Sequence, residues 1–420
     1  MKQSKHNIYY SPKKVRTILN RSIDTALDGL KCYCNDPVSD FTRCRKLPAR
    51  SLIECIMSFS NYSSIGELSH FFVGQGEMPS ASALSQRRQL LDPDIFKRIN
   101  NLFVSAFDDH TTINGYHILA QDGSDVNIPF MDDKTKTEKH DAKSFCQYHV
   151  NALYDCINKV FYDWSIDAAS KKREVNALIS ILKDRNYPQN SIFTADRGYE
   201  SYNLMAHFIE NDTKFVIRVK DIHTKSGLMT NIKTEEGAFD MRINRTLTSL
   251  QTKEIKADKE KYIFVPSTSN FDFLDENRDF YDLSFRAVRF KISEDTYETV
   301  VTNLSEEEFK TEDFKELYHY RWNEETAFNK LKYTIGLVYF HARKRKLIQQ
   351  EINAAFLMYN VSEVIIRNID LKKNKKPKLE YDYKPNFSSA VTNIRLYLRK
   401  KINMKELILR IKKFLVAQRP

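Results

Sequence analysis

A chain of 420 residues that is 41% hydrophobic can bury a large core, and its length predicts two or three structural units. No run of about 18 apolar residues occurs, which excludes a membrane-spanning helix. The start, MKQSKHNIYYSPKKVR, lacks a signal-peptide core, so a cytoplasmic protein is expected. The net charge of +11 is uneven: residues 1–50 hold 11 Lys and Arg against 4 Asp and Glu, residues 51–332 hold 35 against 45, and residues 333–420 hold 20 against 6. A basic head and tail around an acidic middle suit a polyanion gripped from both ends, with a cation site between them. Cys32, Cys34, Cys44 and Cys55 follow C-x-C-x9-C-x10-C, which matches no zinc pattern, so reduced thiols are expected.

In chain order, residues 1–110 read as helical. SSIGELSHFF opens with a capping-box pattern, Ser64 to Glu67, followed by an apolar face of Ile65, Leu68, Phe71 and Phe72. After Gly74, Gly76 and Pro79, SASALSQRRQLL starts at Ser80 and carries Gln86, Arg87 and Arg88; helix, turn and basic helix are compatible with a DNA-reading element. Strands begin at Tyr116. YHILAQDGS is a short apolar run expected to end at Asp122, and YHVNALYDCINKVFYDWSID predicts two strands turning at Ile157-Asn158-Lys159. KKREVNALISILKDR is an amphipathic helix, SIFTAD a buried strand ending at Asp196, SYNLMAHFIEN a helix and KFVIRV a strand. This alternation predicts an α/β layer with a mixed sheet over residues 111–220. Residues 221–300 read as a strand-rich insertion without a helix, and 301–345 return to a strand and then a helix. Residues 346–420 read as a basic helical region containing the linker LKKNKKPKLEYDYKP.

Within 301–345, LYHYRWNEETAFNKLK carries Tyr318, Arg321, Glu325 and Lys332 at offsets of three, seven and fourteen residues. These offsets place the four side chains within an arc of roughly 60° on one helix face. Leu317, Phe328, Leu331 and Ile335 form the neighbouring stripe that such a helix buries. Asp122 and Asp196 each end a buried strand, the edge where ligands bind in open α/β sheets. A Gly closely follows each acid (Gly123 and Gly198), so backbone can approach a neighbour or ligand there. Three carboxylates from separate parts of one core can hold two divalent ions roughly 3.5–4 Å apart, the arrangement used in phosphodiester transfer. No P-loop or Gly-x-Ser-x-Gly elbow offers another chemistry. Asp125 could compete as a ligand but is read as a turn acid past the strand end, and His149 could line the site, with packing in the core as its main reading. Glu324 falls inside the apolar stripe, and the pattern offers no account of it. Trp322 is compatible with packing beneath DNA or in the core.

LAQDGS, TADRGYES and Y-x2-R-x3-E-x6-K, the last met at Tyr318, Arg321, Glu325 and Lys332, resemble the DDE transposases of bacterial insertion sequences. The subgroup resembled is the one named for its Tyr-Arg-Glu-Lys signature. The resemblance implies a ribonuclease-H-like mixed sheet with a strand-rich insertion, and helical regions before and after it. It carries over Asp122, Asp196 and Glu325 as catalytic ligands of two Mg²⁺ ions, which Mn²⁺ can replace, and Tyr318, Arg321 and Lys332 as contacts to DNA phosphates. The implied activity is cut-and-paste transposition: binding of terminal inverted repeats, nicking to a 3′-hydroxyl, excision through a hairpin and joining to target DNA. A homodimer on double-stranded DNA, associated with the bacterial nucleoid, goes with that activity. A transposase-derived DNA-binding protein without chemistry is the alternative, which the three intact acids oppose. A metal-dependent nuclease on the same core would differ by not joining ends.

Overall fold

The computed structural model describes all residues except 6–7, 44, 75, 130–135, 138–144, 170–173, 223, 225, 267, 270, 295, 371–381 and 419–420. Cys44 and most of the basic linker therefore lie outside the described residues. The first third is helical: α1 (Pro12–Asp28), α2 (Ala49–Met57), α3 (Ser64–Phe72), α4 (Ala81–Leu90) and α5 (Asp94–Val104). Ser80 caps α4 as expected, accepting from the Ala83 N–H. The cap of α3 is Ser63 rather than Ser64, because the Glu67 carboxylate accepts from the N–H groups of Ser60 and Tyr62 in the preceding loop. Helix α4 does not present its bases as a reading face. Arg88 is buried and pairs with Glu351 at 2.7 Å, and Arg87 stacks on Phe41 while donating to the Leu47 carbonyl.

The sheet begins with β1 (His117–Ile128), β2 (Phe145–Asp155) and β3 (Val160–Ala168), joined by the expected tight turn in which Lys159 takes a φ of 58°. Then come α6 (Glu174–Asp184), β4 (Ser191–Ala195), α7 (Tyr202–Glu210) and β5 (Lys214–Val219). These five strands lie in the order β3–β2–β1–β4–β5, with β2 antiparallel to both its neighbours and β1, β4 and β5 parallel. That order and those directions are the ribonuclease-H-like arrangement. After β5 the chain forms β6 (Phe239–Thr248), the short helix α8 (Lys253–Ala257), β7 (Tyr262–Phe264), β8 (Phe280–Ser293) and β9 (Thr296–Thr302). These strands continue the same sheet, in the order β5–β9–β8–β6–β7. Two details differ from expectation: Lys253–Ala257 is helical, capped by Thr252, and the strand read over 226–247 begins only at Phe239.

The chain closes with α9 (Asp313–His319), α10 (Trp322–Lys330), a π turn at Leu331–Ile335, α11 (Arg345–Arg367), α12 (Phe387–Leu398) and α13 (Met404–Lys413). Among the described residues no helix is long and apolar enough to cross a membrane. One core lies where α11, the N-terminal helices and one face of the sheet meet; α6, α7 and the insertion strands close the other face. Helix α11 is buried along most of its length, and its polar side chains bond to neighbours. Asn353 accepts from Trp164 Nε1 at 2.7 Å, and Asn360 joins Asn100 and the backbone of Phe161. Buried amides that are fully bonded fix one register of helix on sheet, since any slip leaves them unsatisfied.

Candidate active site

Asp122 and Asp196 come together because β1 and β4 run parallel and in register. The last pair of that ladder is Gln121 with Ala195, so each acid is the next residue along its strand. Beyond this point the chains part. After β4 the chain enters a single helical turn, Arg197–Tyr199, capped by the Asp196 carboxylate on the Arg197 N–H. Strand β1 does not end at Asp122: it stays paired with β2 out to Ile128, leaving its β4-side edge open. Asp125 is therefore a strand residue, not a turn acid, and its carboxylate meets His149 Nδ1 at 2.7 Å. Hydrophobic alternation shows that a strand exists, but its length on each side depends on which partner persists.

Ile118 and Ala120 face the α11 core and Leu119 the opposite one, so the period-two pleat puts Asp122 on the side where α10 packs against β1. Helices α9 and α10 present Tyr318 and Arg321 to the two acids. Arg321 Nε donates to the Tyr318 hydroxyl at 3.1 Å, and both side chains are buried. Burial alone would lower the guanidinium pKa, but Tyr318, Asp196 and Asp122 outweigh it and hold Arg321 charged. Burial pushes the Asp122 carboxyl up, the Gly123 N–H at 2.8 Å and Arg321 pull it back, and Glu174 and Asp196 push it up again. Arg218 on β5 reaches toward Asp196 at 4.0 Å while pairing with Glu298 at 3.4 Å.

The adjacent glutamates have opposite settings. Glu325 is exposed and, one helical turn beyond Arg321, shares its face. Glu324 is fully buried, with neither oxygen hydrogen-bonded. Burial, then the charge of Asp122, drives its pKa well above its ordinary value, against the opposing pull of Arg321 and the Asp122 N–H. The predicted apolar stripe of Leu317, Phe328, Leu331 and Ile335 is buried, and Glu324 is buried with it. Lys332 is half-buried in the π turn; burial lowers its pKa and the charge of Asp125 raises it. Trp322 is 48% exposed and Tyr333 69%, whereas Tyr318 is 1% exposed, so Trp322 and Tyr333 offer rings to a ligand and Tyr318 offers its hydroxyl to Arg321.

Glu174 was not picked out in the sequence, and His149 was read mainly as a packed core residue that could line the site. His149 is buried between Asp125 and Glu174, with Nε2 at 3.0 Å from Glu174 Oε1. Burial lowers its pKa, but the two carboxylates reverse this and raise it. Glu174 opens the helix after β3, and β3 runs in the same direction as β1, so the start of α6 lies at the edge that carries both aspartates. An acid at the first position of that helix was the available signal.

The sequence profile of the transposase DDE domain matches residues 113–361, more than half of the chain, and this protein belongs to that family. No curated protein sequence matches it. Among solved structures, the piggyBac transposase in a synaptic complex with hairpin DNA, determined by cryo-EM, aligns with 100% of this chain and 89% of its own. The identity is 12% and the TM-score 0.44. The family implies divalent cations. Among the described residues no three His, Cys, Asp or Glu side chains already converge as a formed metal cage. The donor set nevertheless fits Mg²⁺ or Mn²⁺, because carboxylate oxygens at an open sheet edge are hard ligands.

Proposed function

We propose that this protein is a cut-and-paste transposase that binds the terminal inverted repeats of an insertion sequence, nicks to a 3′-hydroxyl, completes excision through a hairpin and joins the end to target DNA. The observation that carries this reading is the register of β1 with β4. It delivers Asp122 and Asp196 to one spot beneath a helix whose buried Arg321 answers to both. In this reading Asp122, Asp196 and Glu325 hold two Mg²⁺ ions, which Mn²⁺ can replace. Such ions, when bound, activate the attacking water or 3′-hydroxyl and stabilise the leaving oxygen. The rest falls to the chain itself. Arg321, kept charged and oriented by the Tyr318 hydroxyl, presents a planar fork to a phosphate, and Lys332 adds a point charge. The basic helices at both ends hold the duplex, and two copies pair the two ends of the element.

The test is a time course on end-labelled DNA carrying the repeats that flank the gene, in Mg²⁺. Wild type is expected to nick, form hairpins and join ends. Asp122→Ala and Asp196→Ala are expected to abolish all three while binding the repeats within a few-fold. Cleavage without joining would make the protein a nuclease, and binding without cleavage by wild type would make it a transposase-derived DNA-binding protein.

A further inference from the structure

Glu174 lies where β1 and β4 separate, and two glycines make room for it. A Cβ built on Gly123 would stand 2.8 Å from Glu174 Oε1 and closer still to the His149 ring; one on Gly198 would stand 3.6 Å from Glu174 Oε2. One carboxylate thus touches the backbone that follows each catalytic aspartate. Neither glycine takes a left-handed φ, so what they supply is space for this side chain. His149 Nε2 lies 3.0 Å from the Glu174 carboxylate, and its Nδ1 meets Asp125 at 2.7 Å. Two acids oriented by one buried imidazole form a relay that fixes where the outer carboxylate points. A separate observation concerns Tyr199, directly after Gly198. Tyr199 is buried and its hydroxyl has no hydrogen-bond partner, as is also true of the Gln121 amide, and Glu174, Asp122 and Glu324 are the charges that act on it. A buried, unpartnered hydroxyl beside an unpartnered amide marks a polar centre left incomplete by the protein's own groups.

We propose that Glu174 supplies a further carboxylate to the cation site of Asp122 and Asp196, reaching it through the slot that Gly123 and Gly198 leave open. This rests on the cation reading of the two aspartates given above. Its ligand is a divalent cation of the Mg²⁺ and Mn²⁺ class, and His149 is a positioning residue that acts through Glu174.

Binding of Mn²⁺ alone to the full-length protein, followed by loss of the free-ion electron paramagnetic resonance signal, tests it without reference to activity. Glu174→Gln keeps an oxygen for His149 and removes only the charge. It is expected to weaken Mn²⁺ binding about tenfold or more, with metal-free melting unchanged. Glu174→Asp keeps the charge and shortens the reach, and is expected to fall between the two. It also serves as the test should Glu174→Gln melt early. Wild-type affinity in both variants, with binding lost in Asp122→Asn, would overturn the role of Glu174 and leave the aspartate site standing. Unchanged binding in Asp122→Asn, or none in wild type, would overturn the cation reading itself.

Discussion

Glu324 and Glu325 differ by one position and by nearly everything that follows from it. A rotation of roughly 100° moves a side chain from the exposed position of Glu325 into the core beneath β1. Burial raises the pKa of Glu324 there, so taking up a proton makes its burial tolerable. The sign of its pH effect follows. Its folded pKa is raised, so its contribution to stability is complete below the unfolded value of about 4.3 and is lost as pH climbs toward the folded value. Glu324→Gln should therefore match wild type near pH 4 and exceed it by about 1–3 kcal/mol at pH 8, measured by urea unfolding at the two pH values. Equal stability at both would mean that Glu324 is not held neutral. The sequence showed that this residue falls in the apolar stripe but could not show why. Helical angle reports direction, whereas the protonation state depends on how completely β1 and its neighbours exclude water.

At the scale of elements, the segment read as one helix is α9, α10 and a π turn that ends at Gly336 with a φ of +121°. Tyr318 and Arg321 lie at the junction of the first two, where they bond to one another, so the guanidinium proposed to face a phosphate is held in place by the protein alone. Arg321→Ala and Lys332→Ala should let the first nick proceed within about tenfold and slow the hairpin and joining steps by ~10²-fold, because these require a positioned end. A time course resolving nicked, hairpin and joined DNA reads this; loss of the first nick to the extent seen in Asp122→Ala would contradict the phosphate role. Arg321→Ala should also cost about 1–3 kcal/mol, since it leaves the buried Tyr318 hydroxyl unbonded. The strand order around the site was legible because alternation, turn residues and helix periodicity agreed from Tyr116 to Val219. Two things were not. The run of β1 beyond Asp122 depends on β2 persisting after β4 has turned away. The inward turn of Arg88 depends on Glu351, which lies 263 residues further on.

Across the whole molecule, the N-terminal helices are tied to the catalytic region by buried charge. His341 stands between Glu351 on α11 at 3.1 Å and Glu67 on α3 at 3.5 Å, and Arg88 on α4 completes the group. Burial lowers the His341 pKa, but its hydrogen bonds to the Glu351 and Glu67 carboxylates prevail and raise it to about 9. A raised histidine stabilises fully below its unfolded pKa of about 6.5, and that stability disappears as pH rises through about 9. Urea unfolding should thus show a loss between pH 6 and pH 9.5 that His341→Ala lacks. That variant should be about 3–5 kcal/mol weaker at pH 6, because it strands buried carboxylates. The basic C-terminal region is not a detachable tail. Helix α12 packs Val391, Ile394 and Tyr397 into the core, and Arg395 donates to the Ile335 carbonyl. The DNA role proposed for this region belongs to its exposed lysines. Replacing Lys400, Lys405 and Lys413 by Ala should flatten the log-affinity against log-salt slope by about 2–3. An unchanged slope would remove this region from the DNA path.

The proposed site takes Glu325 on the exposed face of α10, and not the buried Glu324, as the carboxylate that joins Asp122 and Asp196. The direct measurement compares the first-nick rate of Glu325→Gln with that of Glu324→Gln on end-labelled terminal-repeat DNA in Mg²⁺, with repeat binding checked for both. The account predicts that Glu325→Gln loses about 10³-fold or more while Glu324→Gln stays within about threefold of wild type. The reverse pattern, an inactive Glu324→Gln beside an active Glu325→Gln, would contradict it.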